Sequence, residues 1–449
     1  MKSDTSFFRN VCNLAIPVAL QSMLQSSFSL VDQIMIGQLG STSIAGVGFA
    51  GKFSSIYSVV VSAIGAVAGI MISQYMGQKN GKEVRRSFFL NLFMGLGIAI
   101  LFTGMCLFFS DKIMALYTKD PATRLVAANY LAILSGTFLP IAGVTILSTL
   151  FRCMEKASLP LYAGIAAAVV NTGLNYVLIF GKFGLPAMGH KGVAVATVTA
   201  QIINFLIMLV IYFKCKKPFT GKDKNVSEVT GFHWGQYAGI LLPLLVCEFM
   251  WSLGENIYAA IYGHMGTDAG AAMTLINPIQ GLMIGALCGL SQTASVIIGK
   301  KLGVGKYEKA YQESKKLLYY GFIGSAILSV IIIMISPYYV RIFQVEESVK
   351  ILTKQILLAY ALIAPIKVEN MILGSGILRS GGKTKYVMAI DLIGTWLFGV
   401  PLGLLAAFVL GLPIPYVYFI LSLEECVRFM ISLVVLRRRK WMVTLDCNC

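Results

Sequence analysis

Charged side chains are scarce in this chain of 449 residues: Asp and Glu together number 20, and His only 3. The histidines (190, 233 and 264) fall in predicted loops or at the ends of apolar segments, with no HExxH and no metal-ligand spacing. No GxxxxGK[ST] motif occurs. Gly299-Lys300 and Gly305-Lys306 lack the upstream glycine and the following Ser or Thr, which argues against direct driving by ATP. The cysteines are scattered through apolar runs without a CxxC pair, so neither a zinc site nor a disulfide framework is indicated. Cys447 and Cys449 close the chain, but prenylation needs a cysteine fourth from the end, where Asp446 stands. No cleavable signal peptide is expected, because the first apolar segment is too long, is broken by Pro17 and Asp32, and lacks a small-residue cleavage site. These absences leave little room for an enzyme or for a cofactor.

What the chain has in quantity is apolar sequence. Mean hydropathy is +0.76, with 57% hydrophobic and only 13% charged residues. That composition cannot cover a soluble protein of this size with polar surface. The net charge of +17 raises nucleic acid as a partner, but the basic residues sit in short loops between apolar stretches, with no basic domain and no aromatic-basic platform. The partner implied is the lipid bilayer. Spans of about 20 apolar residues are expected near 11–36, 46–75, 87–109, 123–151, 159–180, 193–213, 236–261, 271–298, 317–335, 351–373, 387–410 and 416–436. The predicted fold is therefore an all-α polytopic membrane protein with twelve transmembrane helices.

With an even number of spans both termini share one side, whose loops hold 26 of the 37 Lys and Arg; the opposite loops and helix starts hold eight. The positive-inside rule then predicts cytoplasmic termini in a multi-pass protein of the inner (plasma) membrane. The chain also repeats itself. Pro17, Gly37, Gly40, Ala45, Gly77 and Ser110 recur 226 residues later as Pro243, Gly263, Gly266, Ala271, Gly303 and Ser336. Arg152, Lys156 and Gly184-Leu185-Pro186 recur at an offset of 227 as Arg379, Lys383 and Gly411-Leu412-Pro413. Each unit holds six spans, so two pseudo-symmetric six-helix lobes are expected, with the ligand path between them. The expected division is an N-lobe over 1–213, a cytoplasmic linker with five lysines over 214–235, and a C-lobe over 236–449 with a basic tail.

Against this background Asp32 stands out, an acid inside the otherwise uncharged run 14–36. A carboxylate at bilayer depth costs about 2.5–3.5 kcal/mol on lenient insertion scales and is kept for an ion, a proton or a cationic ligand. Gln21, Gln25 and Asp32 share one helical face, with Ser29 at its edge. Pro17, one turn before Gln21, permits a bend and is the candidate hinge. A polar stripe beside a kink suits a helix that lines a cavity, although such a stripe can also simply bind helices together. Asn171 and Asn175 lie one turn apart in the fifth span, where amide oxygens can coordinate a cation or bond a protonated acid. In the second half Glu248 and Glu255 share a face flanked by Trp251 and Tyr258. Acid plus aromatic suits a lipophilic cation through charge pairing and cation–π attraction. Glu369 sits beside Lys367, Asp391, Glu424 and Glu425 lie in or near apolar spans, and Arg428 falls one turn beyond Glu424.

Taken together these residues resemble the multidrug and toxic compound extrusion (MATE) family. The likeness is carried by Pro17, the run Val31-Asp32-Gln33-Ile34-Met35-Ile36-Gly37-Gln38-Leu39-Gly40, Gln74-Tyr75-Met76-Gly77-Gln78, Asn171 to Asn175-Tyr176, and Gly192 to Thr197. In the second half it is carried by Glu248 to Gly254, Tyr262 to Thr267 and Leu378 to Thr384. The resemblance implies a pair of lobes, acting as a monomer, that exports small lipophilic organic cations by alternating access in exchange for H⁺ or Na⁺. It implies a cation site in the first lobe at Asp32, Asn171 and Asn175, with Thr197 completing the shell and Na⁺ possible at Asp32. Some relatives carry Asp where this chain has Asn175, which weakens a two-carboxylate Na⁺ site. Other relatives place coupling acids in the second lobe, where Glu255 and Glu369 lie in the corresponding helices. Gln21, Gln25, Ser29, Glu248, Trp251 and Tyr258 are the expected cavity residues. Two rival readings remain open at this point: a lipid-linked oligosaccharide flippase of the same superfamily, and a non-transporting membrane receptor or scaffold.

Overall fold

The computed structural model describes residues 2–37, 39, 41–182, 184, 186–215, 234–341 and 346–445. Residues 216–233 of the expected linker, Cys447, Cys449 and the side chain of Ser29 lie outside the described residues. Among the described residues there is no strand. The first half forms α1 (Lys2–Gly37), α2 (Ser41–Gly77), α3 (Gly81–Ala115), α4 (Pro121–Cys153), α5 (Ser158–Phe180) and α6 (His190–Lys214). The second forms α7 (Trp234–His264), α8 (Thr267–Gly303), α9 (Tyr307–Arg341), α10 (Glu347–Leu378), α11 (Thr384–Val409) and α12 (414–438). Each predicted span falls within one of these helices, except that 387–410 runs one residue past the end of α11.

Ten of them, α2 to α11, are long and apolar enough to cross a bilayer. Helix α1 carries polar side chains at Gln21, Ser22, Gln25, Ser26, Ser27 and Asp32 within its apolar run. Helix α12 is interrupted at Leu423 and divides into Ile414–Ser422 and Glu424–Arg438, the second piece opening on Glu424, Glu425 and Arg428. At Asp120 the local signal is a helix cap: its carboxylate accepts from the Thr123 backbone N–H at 3.0 Å and from the Thr123 hydroxyl, bonds that hold its carboxyl below the ordinary range.

The chain packs as two compact units. One comprises Leu20–Ile72 and Asn80–Phe232. Its core centres on Tyr57, fully buried, which stacks on Phe138 at 4.2 Å between ring centroids and donates its hydroxyl to the Phe138 carbonyl. The other comprises Met1–Ala19, Ser73–Lys79 and His233–Cys449. Within this second unit the last turn of α2 meets the last turn of α8 through small residues. A Cβ on Gly77 would collide with the Lys300 carbonyl, and one on Gly303 with the Gln74 carbonyl; Gly299 abuts the Ser73 hydroxyl. Residues that correspond under the 226-residue offset therefore make corresponding contacts, a small-xxx-small crossing on both helices. Alanine is the better helix former by about 1 kcal/mol, yet overpacking of this kind costs about 1–3 kcal/mol. Gly303→Ala should accordingly lower the melting temperature of the purified protein; an unchanged melting curve would mean that the crossing is looser than described.

The same corner is bound by the carboxy-terminal segment after α12. The Gln74 amide donates to the Ser380 carbonyl at 2.7 Å and to the Val443 carbonyl at 3.2 Å, while its oxygen accepts the Leu445 N–H at 2.8 Å. Gln78 donates to the Leu445 carbonyl at 2.8 Å, and Trp441 is fully buried against Gly381. Buried side-chain amides of this kind are costly unless satisfied, and Gln74 meets its requirement through backbone alone. Helix α10 ends in a π-helical stretch, Met371–Leu378, and α11 carries two more, Ile393–Gly399 and Leu405–Val409. Such wide turns are enriched where a helix re-aims side chains at a site.

Candidate functional site

In the first unit α1, α5 and α6 converge on a cavity of about 180 Å³ whose wall includes Gln21, Gln25, Asp32, Asn171, Thr197 and Asn204. The spacing of four between Asn171 and Asn175 aims both amides at the same side of α5. Asn175 is fully buried behind the cavity and donates from Nδ2 to Asp32 Oδ1 at 2.6 Å and to Asn171 Oδ1 at 3.2 Å. Asn171 in turn donates to Thr197 Oγ1 at 3.3 Å, and the Thr197 hydroxyl donates to the Val193 carbonyl at 2.9 Å. Asn175 is thus the branch point, donating to the carboxylate on one side and, through Asn171 and Thr197, heading a chain that ends on the Val193 carbonyl. No Lys or Arg among the described residues pairs with Asp32. The Asn175 and Asn204 side-chain oxygens are buried and accept no hydrogen bond. The structure thus brings together Asp32, Asn171, Asn175 and Thr197, with Gln21 and Gln25 on the same cavity. It adds two residues that the sequence did not single out: Asn204 on α6, and Tyr130 on α4, a buried phenol lying within the field of Asp32.

The second unit holds a cavity of about 340 Å³ whose wall includes Glu255, Tyr258, Lys367, Tyr418, Glu424 and Glu425. Part of its charge is already organised. Arg428 pairs with Glu424 at 3.5 Å and Glu425 at 3.9 Å and donates to the Thr395 hydroxyl. Tyr258 donates its hydroxyl to Glu424, and Asn370 donates to Glu425 Oε2 at 2.8 Å. Glu369 lies elsewhere. Two residues apart on a helix means about 200° of rotation, so Lys367 faces the cavity while Glu369 is buried against α9, 2.7 Å from where a Cβ on Gly321 would stand. Glu255 and Glu369 therefore do not share a site, and Lys367 does not neutralise its neighbour in sequence. Glu248 lines neither cavity: Arg379 donates to it at 2.8 Å and to the Cys247 sulfur at 3.5 Å, while the Cys247 thiol donates to Asp391 at 2.8 Å. Trp251 is exposed and lines neither cavity. The Glu248–Arg379 and Cys247–Asp391 pairings were hidden in the sequence because each joins helices more than 100 residues apart.

Comparison with known proteins follows the same lines. The MatE family model matches residues 17–177 and again 243–405. The chain belongs to this family. The two matches begin 226 residues apart, at Pro17 and Pro243, which is the offset of the internal repeat. Among curated relatives, the chain is 26% identical to the probable multidrug resistance protein NorM of Agrobacterium fabrum, covering 90% of this chain and 88% of that protein. It is 23% identical to the uncharacterized transporter YisQ of Bacillus subtilis over 98% of this chain and 96% of that protein. Among solved structures, a mutant of the Vibrio cholerae MATE transporter VcmN superposes with a TM-score of 0.88 at 16% identity, covering 98% of this chain and 100% of that one. A crystal structure of a MATE protein in complex with MaL6 gives the same TM-score of 0.88 at 16% identity, covering 96% and 95% of the two chains. This MatE-family protein is thus a multi-pass membrane transporter of two-lobe fold rather than an enzyme, and its apolar helices, internal repeat and family match agree on that point.

Proposed function

We propose that this MatE-family transporter exports small lipophilic organic cations in exchange for H⁺ or Na⁺, working as a monomer in the inner membrane with both termini cytoplasmic, and that Asp32 is the coupling group. The observation that carries the reading is a carboxylate on a membrane-embedded cavity wall whose one hydrogen-bond partner among the described residues is a neutral amide, Asn175. A charge kept there without a basic partner is expensive, and binding a small cation at that point offsets the expense. Among the two ions the donor set suits H⁺ better. Among the described residues lining the cavity Asp32 is the one carboxylate, Asn171 Oδ1 is taken by Asn175, and the amide presented to Asp32 is a donor. An amide that turns over presents its oxygen instead, so Asn175 can donate to the ionised acid and accept from the protonated one.

The cycle follows from that pairing. Protonation of Asp32 removes the buried charge, α1 bends near Pro17, and the cavity wall repacks so that the organic cation leaves. Loss of the proton on the other side restores the charge that attracts the next cation. One carboxylate favours one cargo at a time, which makes the process an exchange. Exporting a monovalent cation for one H⁺ moves no net charge, so a membrane potential, at about 2.3 kcal/mol per charge per 100 mV, adds nothing. The relatives' description as multidrug resistance proteins supports the substrate class. The test is ethidium transport in proteoliposomes with pH and sodium gradients imposed separately. A pH gradient alone should drive uptake, and a sodium gradient alone should not. The reverse outcome assigns Na⁺ to the site.

A further inference from the structure

Helix α2 is divided between the two units. It runs through the first to Ile72 and finishes in the second, from Ser73 to Lys79, before Asn80 returns to the first. Beneath that last turn lies the small-residue crossing with α8 at Gly77, Gly299 and Gly303, which brings backbones close without interlocking large side chains. Over it lies the heptapeptide 439–445, which follows α12. Two of the Gln74 side-chain bonds and a bond of Gln78 end on its Val443 and Leu445 backbone. The heptapeptide is seated by contacts of its own. Arg439, with left-handed backbone at φ 57°, turns the chain back, donates to Glu308 at 2.6 Å and lies 4.1 Å over the Tyr311 ring. The Thr444 hydroxyl donates to the Leu302 carbonyl at 2.7 Å and meets the Tyr307 hydroxyl at 2.7 Å. Trp441 and Leu445 are buried against Gly381 and Gly382. One short segment therefore touches the ends of α2 and α8, the start of α9 and the turn after α10.

We propose that residues 439–445 form a releasable strap with Gln74 as its catch: seated, the strap fixes the end of α2 in the second unit, and the conformational change of transport requires it to let go. Alternating access moves the two halves of a transporter against each other, and Ser73–Lys79 is joined to the first unit at both ends. That turn cannot follow the first unit while Gln74 and Gln78 are bonded to backbone that Trp441 and Thr444 hold in place. Release is inexpensive for a physical reason. The strap lies beyond the last span, and its bonds to α2 are neutral ones that water replaces with a small net change. The same break inside a bilayer would strand polar groups. Reseating is favoured at rest, because a released strap leaves the fully buried Gln74 with the Ser380 carbonyl as its one partner among the described residues. Gln74 is thus a positioning residue. The gating role rests on the exchange cycle, whereas the hold on α2 rests on packing alone.

Two measurements on the full-length protein test the strap. The first is deuterium uptake in lipid nanodiscs, without substrate or ion gradient. Thr444→Val removes the bonds to Leu302 and Tyr307 and touches no residue of α2. It should raise uptake about fivefold both in 441–445 and in the α2 turn 75–79, while residues 280–295 of α8 stay as protected as in the wild type. Uptake that rises in 441–445 alone would mark a fraying end that holds nothing, and would overturn the proposal. The second is ethidium efflux from cells carrying Gln78→Cys with Leu445→Cys, bridged by a short bis-methanethiosulfonate; wild type given the same reagent controls for the native cysteines. Bridging should slow efflux about tenfold, and dithiothreitol should restore it, because a strap that cannot let go blocks the change of state. Bridged protein that exports at the unbridged rate would show a static brace and overturn the gating role. A wild type without ethidium efflux would reject the exchange cycle instead, and the deuterium result then decides the hold on α2.

Discussion

Asp32→Asn should reduce energised ethidium efflux from cells at least tenfold, to the level of cells lacking the transporter, while the protein still folds and inserts. The substitution keeps the size and shape of the side chain and its hydrogen bond with Asn175, because an amide oxygen accepts from Asn175 Nδ2 as the carboxylate does. What it removes is the charge that attracts an ion. The variant is chemically close to the ion-loaded state at all pH values, and a site that cannot unload cannot exchange. Folding should be at least as robust as in the wild type, since a neutral amide at bilayer depth lacks the penalty of an ionised acid, about 2.5–3.5 kcal/mol on lenient scales. The pair of readouts is therefore efflux rate and melting temperature of the purified protein. Unimpaired efflux would reject Asp32 as the coupling group, and collapse of folding together with efflux would make the residue structural.

The largest stability effect is expected at Arg428. Its guanidinium is buried, pairs with two buried glutamates and bonds Thr395. Replacing it by Met leaves Glu424 and Glu425 facing each other with only Tyr258 and Asn370 as partners. Removing one member of a buried ion cluster typically costs about 3–5 kcal/mol, because the remaining charge stays desolvated. Against an ordinary stability of about 5–15 kcal/mol that is a large fraction of the margin, so Arg428→Met should survive poorly in detergent, with its gel-filtration peak lost or its melting temperature strongly lowered. The triple variant Arg428→Met, Glu424→Gln, Glu425→Gln should regain most of that loss, since removing all the charges together costs little. If the single variant melts like the wild type, the cluster is solvated and the second-unit cavity is more open than its geometry implies.

The helices of the fold and the first-unit site were legible from sequence for a shared physical reason. Long apolar runs report membrane spans regardless of what they pack against, and a lone acid in such a run marks a candidate site. Asp32, Asn171, Asn175 and Thr197 could be grouped in advance because helical periodicity and family motifs both survive translation into space. The second unit was harder. Neighbourhood in sequence suggested that Lys367 answers Glu369, but two residues along a helix turn the side chains away from each other, and only the packing of α9 and α12 around α10 shows which one meets the cavity. Glu248 looked like a free acid beside Trp251 because its partner, Arg379, comes 131 residues later. The grip of the carboxy-terminal segment on Gln74 and Gln78 was equally invisible, since those amides bond backbone carbonyls, which carry no residue-type signature.

The most direct measurement of the central claim is proton release on substrate binding. Purified transporter in lightly buffered detergent solution, at a pH low enough that Asp32 carries its proton before ligand is added, should release close to one proton for each bound ethidium, and the Asp32→Asn variant should release none. The same release from that variant, or binding by the wild type with no proton released, would contradict exchange at this carboxylate.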